Sequence, residues 1–187
     1  MSPVRVQTPL TEAVSRKLEA GDELLLSGRL YVARDAAHRL IVEALGRGEQ
    51  PPVDLGGAVI FYAGPAPARS GMATGAIGPT TSYRMDPFTP LLLKQGVLGM
   101  IGKGMRSKEV ISCMMKHGAV YLGATGGIAA LLARTVISSR VVCYEELGPE
   151  ALRELETRDM PLTVLIDSKG RSIYSEGPAK FIRSRTP

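Results

Sequence analysis

Apolar positions along the chain come in short runs whose spacing alternates between that of strands and that of helices. Residues 4–7 predict an opening strand, and Thr11 predicts the N-cap of a helix reaching Leu18. Beyond a turn at Gly21-Asp22, residues 23–32 are rich in strand formers but broken at Ser27-Gly28, which predicts two strands or one bulged strand. His38, Ile41, Val42 and Leu45 recur at helical spacing, so Asp35 is expected to cap a helix over residues 36–45. A polar Gly/Pro loop at 46–54 leads into a short buried strand at 58–62.

The second half continues the alternation: helix 88–95, strand 97–101, capped helix 107–117, strand 119–122, helix 126–133 and strand 136–144. Pro149 is expected to open a helix to Arg158, and residues 162–167 and 171–174 to form a hairpin about Ser168-Lys169-Gly170. Residues 63–90 are irregular, and a stretch that long inside a compact domain is more often functional than idle. No repeat, low-complexity segment or linker interrupts the chain. One α/β domain with a mixed sheet, over residues 1–187, is the expectation.

Composition narrows the function. The 187 residues hold 44% apolar and 22% charged side chains, which is ordinary for a globular protein with a real core. Gly is rich at 21 residues, much of it in clusters between apolar runs, which predicts tight loops near a ligand or partner backbone. The net charge of +5 comes from dispersed residues with a mild concentration at Lys180, Arg183 and Arg185, without the basic stripe and stacking aromatics of a nucleic-acid binder. Cys113 and Cys143 stand alone, with no secretory leader pattern ahead of them, so reduced thiols and a cytoplasmic location are expected. No apolar run approaches the length of a membrane span.

Two familiar motifs fail. The Gly102-Lys103 pair lacks the Walker glycine, since Val97 stands there, and Gly104 replaces the Ser or Thr that should follow the lysine. Residues 102–107 also miss the third glycine of a dinucleotide fingerprint. Cys113 and His117 are one helical turn apart, but a core cysteine and a helix-end histidine account for them without a metal. Two cysteines are too few for an iron–sulfur centre, and two histidines without a nucleophile elbow assemble no serine triad.

Three polar segments interrupt apolar or Gly-rich surroundings: Arg34-Asp35-Ala36-Ala37-His38, the run from Gly78 to Asp86 (GPTTSYRMD), and Gly102-Lys103-Gly104. A linear dicarboxylate needs cations at both ends, and the arginine fork fits a carboxylate bidentately. Arg34, Arg84 and Lys103 would supply that cradle, with the hydroxyls of Thr80 and Thr81 binding substrate oxygen or relaying a proton. Each residue also has a plainer reading. Arg34 and Arg84 can pair with Asp35 and Asp86, Thr80 can cap a helix, and His38 can be a satisfied core histidine.

At these residues the sequence resembles a family. Gly28-Arg29-Leu30, Ala33-Arg34-Asp35-Ala36-Ala37-His38, Phe61-Tyr62-Ala63-Gly64-Pro65, the run from Gly78 to Asp86 and Ile101-Gly102-Lys103-Gly104 are similar to the β subunit of class I fumarate hydratases and L(+)-tartrate dehydratases. The segments from Thr125 to Leu131 and from Ile166 to Ser172 are similar too, so the resemblance runs from about Pro9 to Tyr174. It implies a swivelling β/β/α-type domain fused to, or associated with, an α part that holds a [4Fe–4S] cluster whose open iron acts as a Lewis acid. It implies carboxylate clamping by Arg34, Arg84 and Lys103, with Thr81 beside the substrate and Asp35 and Asp86 in support. Thr80 matches a threonine beside the reacting carbons, and His38 matches a histidine of catalytic role. This chain would hold no metal of its own and would work with a separate iron–sulfur α subunit. Arg84-Met85-Asp86-Pro87 leans toward fumarate as the substrate; tartrate or a related dicarboxylate, and a non-catalytic module binding an anionic metabolite, are the alternatives.

Overall fold

A computed structural model describes residues 2–124 and 127–176. Among them, seven strands form one mixed sheet: β1 (Val4–Gln7), β2 (Glu23–Val32), β3 (Val59–Phe61), β4 (Gly99–Gly102), β5 (Val120–Gly123), β6 (Val136–Cys143) and β7 (Leu152–Ile166). β2, β3, β4 and β5 pair in parallel, and such pairs need crossovers. The crossovers carry α2 (Asp35–Gly46), α3 (Thr89–Lys94) and α4 (Lys108–His117). β7 runs antiparallel to both β5 and β2, and this pairing closes five strands into a barrel. β1 lies against the first half of β2, and β6 lies against the first half of β7.

Period-two alternation sorts the side chains into two cores. Leu30, Val32, Val59, Phe61, Ile101, Val120, Leu122 and Val164 fill the barrel. Their neighbours Tyr31, Ile60, Met100 and Tyr121 face outward and are covered by Ile41 of α2, Leu92 and Leu93 of α3 and Val110 and Met114 of α4. Since both faces of β3, β4 and β5 are buried, these strands read as unbroken apolar runs. Each fully buried Leu, Ile or Phe contributes about 2 kcal/mol of transfer free energy. A bulge between Leu26 and Gly28 keeps β2 in register with β7, and Gly28 supplies its left-handed φ of 101°. The helix α4 begins where the sequence predicts, with the Ser107 hydroxyl accepting from Val110 N, and ends at left-handed Gly118.

Several expectations are corrected. Of the helix predicted over 149–158, residues 152–158 are instead the first half of β7, and Pro149 and Glu150 end a 3-10 turn ahead of it. Leu, Glu and Arg are good helix formers there, but Leu155 and Thr157 alternate inward between two antiparallel partners, and sheet pairing overrides propensity. The hairpin at 162–174 shrinks to a single bridge between Ile166 and Ser172, because the Asp167 carboxylate caps the turn through Lys169 N and Arg171 N. The Thr11-capped helix, α1 (Glu12–Ser15), stops three residues before Leu18. α5 (Ala129–Arg134) starts later than expected, and Gly126 lies outside the described residues, as do Lys180, Arg183 and Arg185. No helix of the described residues is long and apolar enough to cross a membrane.

Candidate active site

The polar segments converge at the carboxyl ends of the parallel strands, where open α/β sheets commonly bind ligands. Arg34 follows β2 after one residue, and Lys103 follows β4 directly. The stretch from Thr80 to Ser82 lies alongside Lys103 as a short extra ladder. Thr80 N donates to Tyr62 O (2.7 Å), Lys103 N to Thr80 O (3.2 Å), and Ser82 N to Lys103 O (3.0 Å). A 3-10 turn, Ser82–Met85, then carries Arg84 back over Thr80.

Arg84 Nη2 donates to the Thr80 hydroxyl oxygen at 2.9 Å, and Arg84 Nη1 lies 3.4 Å from Asp35 Oδ2. That same carboxylate oxygen is 4.0 Å from Arg34 Nε, so Asp35 stands between the two guanidiniums. Arg34 Nη2 donates to Glu150 Oε1 at 2.7 Å. Lys103 is exposed and makes no ion pair among the described residues. Arg34 and Arg84 therefore meet the carboxylates of Asp35 and Glu150, and Lys103, tied by its backbone to Thr80 and Ser82, adds a third cation, which leaves positive charge for an incoming anion.

Thr80 caps no helix; its hydroxyl oxygen is held by Arg84. Thr81 stands at the N-cap position of the 3-10 turn without a side-chain cap, bridged to Lys103. Asp35 is not the N-cap of α2 either. Arg34 occupies that position, and Glu150 Oε2 accepts from Ala36 N at 3.2 Å, so a carboxylate 114 residues away closes the helix end. Asp86 does not meet Arg84. Its two oxygens accept from Arg106 Nε and Ser107 N, each at 2.7 Å.

His38 is fully buried, with its ring edge-on to Tyr62 at 5.2 Å and tilted against Phe88 at 6.1 Å. Its Nδ1 donates to the Arg34 carbonyl at 2.9 Å, which the His38 backbone N–H also reaches at 2.9 Å. Nε2 is buried without a partner among the described residues. Burial, the dominant cause, pulls its pKa down to about 4; the Arg34 carbonyl and Asp35 oppose that shift and Arg106 adds to it. His38 is thus a neutral imidazole that fixes the backbone just ahead of Asp35.

Sequence reasoning missed two residues. Glu150 lies in the segment read as helix, and nothing local links it to Arg34. Arg106, seen only within the stretch that fails as a dinucleotide fingerprint, has a side chain with 0% exposure. It lies 5.3 and 5.2 Å from the Tyr62 and Tyr121 ring centres and donates to Thr89 Oγ1 at 2.7 Å.

Among the described residues no three His, Cys, Asp or Glu side chains gather to hold a metal ion. Cys113 Sγ contacts Pro90 O across the α3–α4 packing, and Cys143 ends β6, so the donor set here does not fit an iron–sulfur cluster.

These features define a barrel whose cationic end is open to a small anion. The sequence matches the family model described as Fumarase C-terminus over residues 1–177, and the chain belongs to that family. It is 42% identical over 173 residues to a protein of Methanocaldococcus jannaschii provisionally named L(+)-tartrate dehydratase subunit beta, covering 89% of each chain. It is 42% identical to fumarate hydratase 2 of Leishmania major, covering 83% of this chain and 28% of that protein. It is 39% identical to the aerobic class I fumarate hydratase of Salmonella typhimurium, covering 92% of this chain and 30% of that protein. The chain therefore spans less than a third of these two fumarate hydratases.

Proposed function

We propose that the chain, as a single domain over residues 1–187, is the substrate-clamping part of a hydro-lyase that interconverts fumarate and (S)-malate together with an iron–sulfur α subunit. The observation that carries this reading is the Arg84–Thr80 contact, set among Arg34, Lys103 and Asp35. Removing a proton α to a carboxylate builds negative charge on that carboxylate. Fixed cations nearby then stabilise the transition state more than the ground state. Arg84 and Lys103 hold one substrate carboxylate and Arg34 the other, with Thr81 beside them. Arg84 donates to the Thr80 oxygen, which stabilises that oxygen when it gives up its proton. Thr80 thereby exchanges the C–H proton with the substrate. His38 acts by holding the Arg34 carbonyl and hence the Arg34 side chain, with Asp35 and Asp86 in support.

The [4Fe–4S] cluster, held by the partner, supplies the Lewis acid for the departing hydroxyl. Two observations support such a partner. Tyr83 and Met105, exposed at 64% and 70%, flank the cations with apolar surface. The related fumarate hydratases carry more than twice as much further chain. The domain swivels over the partner to close the site and exclude water, in the cytoplasm, in a hetero-oligomer. Tartrate is the second substrate reading, favoured by the M. jannaschii relative, whose length matches this chain. The test is turnover by the reconstituted complex with Arg84→Ala and Thr80→Ala. Losses of at least a hundredfold are expected, and near-wild-type turnover by either variant refutes the assignment.

A further inference from the structure

Arg106 is a buried cation whose placement an apolar side chain could replace if stability were its only contribution. Its contacts instead tie together the two loops that carry the candidate clamp. Asp86, the residue just after the Arg84-bearing turn, accepts with one oxygen from Arg106 Nε and with the other from Ser107 N, four residues beyond Lys103. Thr89, at the start of α3, accepts from Nη2 and itself donates to Met85 O, the last residue of the same turn. The guanidinium lies between Tyr62, at the end of β3, and Tyr121 of β5. The Tyr121 hydroxyl is 2.8 Å from Ser82 Oγ and 3.0 Å from Gly104 O, which brackets the same two loops from their other side.

We propose that Arg106 is a positioning residue, which locks the turn bearing Thr80 and Arg84 onto the loop bearing Lys103 and so sets the spacing of the cations around the Thr80 hydroxyl. Rows of backbone bonds alone would not hold that spacing. The ladder between the loops consists of Lys103 N to Thr80 O and Ser82 N to Lys103 O, and neither bond fixes the turn that follows. The fork geometry matters as much as the charge, because Asp86 and Thr89 are met by different nitrogens of one plane. The proposal rests on the functional reading for its consequence in catalysis, but not for its structural content.

Two measurements test it on Arg106→Met, Arg106→Lys and Asp86→Asn. The first is amide hydrogen exchange of the full isotopically labelled chain by NMR. Exchange at Ser82 and Lys103 is expected to accelerate at least tenfold in Arg106→Met and Asp86→Asn. Val120 and Val164, whose amides bond to Leu98 O and Asp22 O in the barrel, keep their rates. The second is kcat and KM in the reconstituted complex. A clamp displaced by about an ångström costs on the order of a hundredfold in kcat/KM, with KM raised, and Arg106→Lys recovers only part of it because it lacks the fork. Unchanged exchange at Ser82 and Lys103 in a folded variant overturns the proposal. So does an acceleration equal across the barrel, or loss of fold in both Arg106→Met and Asp86→Asn, since Arg106 is then a stability residue. An inactive wild-type complex overturns the functional reading, while the exchange data still decide the positioning claim.

Discussion

Protonating His38 in the folded protein places a cation between Tyr62 and Phe88 with one ring nitrogen already committed to the Arg34 carbonyl. Asp35 on the same helix favours that charge and Arg106 opposes it, but burial dominates and pulls the pKa from 6.5 to about 4. A depressed folded-state pKa means that the unfolded chain takes up the proton first. The stability is therefore fully present above pH 6.5, falls as the pH drops, and is lost by about pH 4. The linkage relation gives about 2 kcal/mol lost between pH 7.5 and 5, and about 3 kcal/mol by the bottom of the window. Urea unfolding at a series of pH values measures it, with His38→Gln as the reference that cancels the titration of every other group. At a slope of about 2 kcal/mol per molar urea, the wild type should lose about 1 M more of its midpoint than His38→Gln between pH 7.5 and 5. Parallel curves for the two proteins, or an NMR titration of His38 with a midpoint near 6.5, would refute the reasoning.

Three further outcomes follow from particular contacts. Gly102→Ala places a Cβ on top of Ser82 Oγ, so it should break the Tyr121–Ser82 contact and destabilise the fold by about 1–3 kcal/mol, read by thermal or urea unfolding. Glu150→Gln removes the charge that engages Arg34 and faces the start of α2. It should lower stability by about 1 kcal/mol in urea unfolding and change KM in the complex more than kcat. Arg106→Met withdraws a cation that helps burial keep His38 neutral. The His38 titration, followed by NMR, should therefore move upward, and an unchanged midpoint would refute that role for Arg106.

The alternation of short strands and helices was legible because both faces of β3, β4 and β5 are buried and the crossover helix α4 has a clear cap at Ser107. β7 was not, since residues 152–158 have helical composition and only their partners in β2 and β6 make them a strand. The same distinction holds at the site. Arg34, Arg84, Thr80 and Lys103 were visible as polar interruptions in apolar or glycine-rich sequence. Their pairing was not, because Asp35 rather than Asp86 meets Arg84, and Glu150 reaches Arg34 from 116 residues away. Arg106 was hidden by its neighbours: in sequence it is one more basic residue in a surface-like run, and only the fold places it between two tyrosines.

Anaerobic reconstitution with an iron–sulfur α subunit, assaying malate, tartrate and methylmalate dehydration in parallel, tests the central claim most directly. This chain alone should be inert, and the mixture should dehydrate malate in strong preference to the others. A preference for tartrate would keep the clamp and change the substrate. No turnover of any of the three by a complex with its cluster intact would contradict the account and leave the chain as a binding module for anionic metabolites.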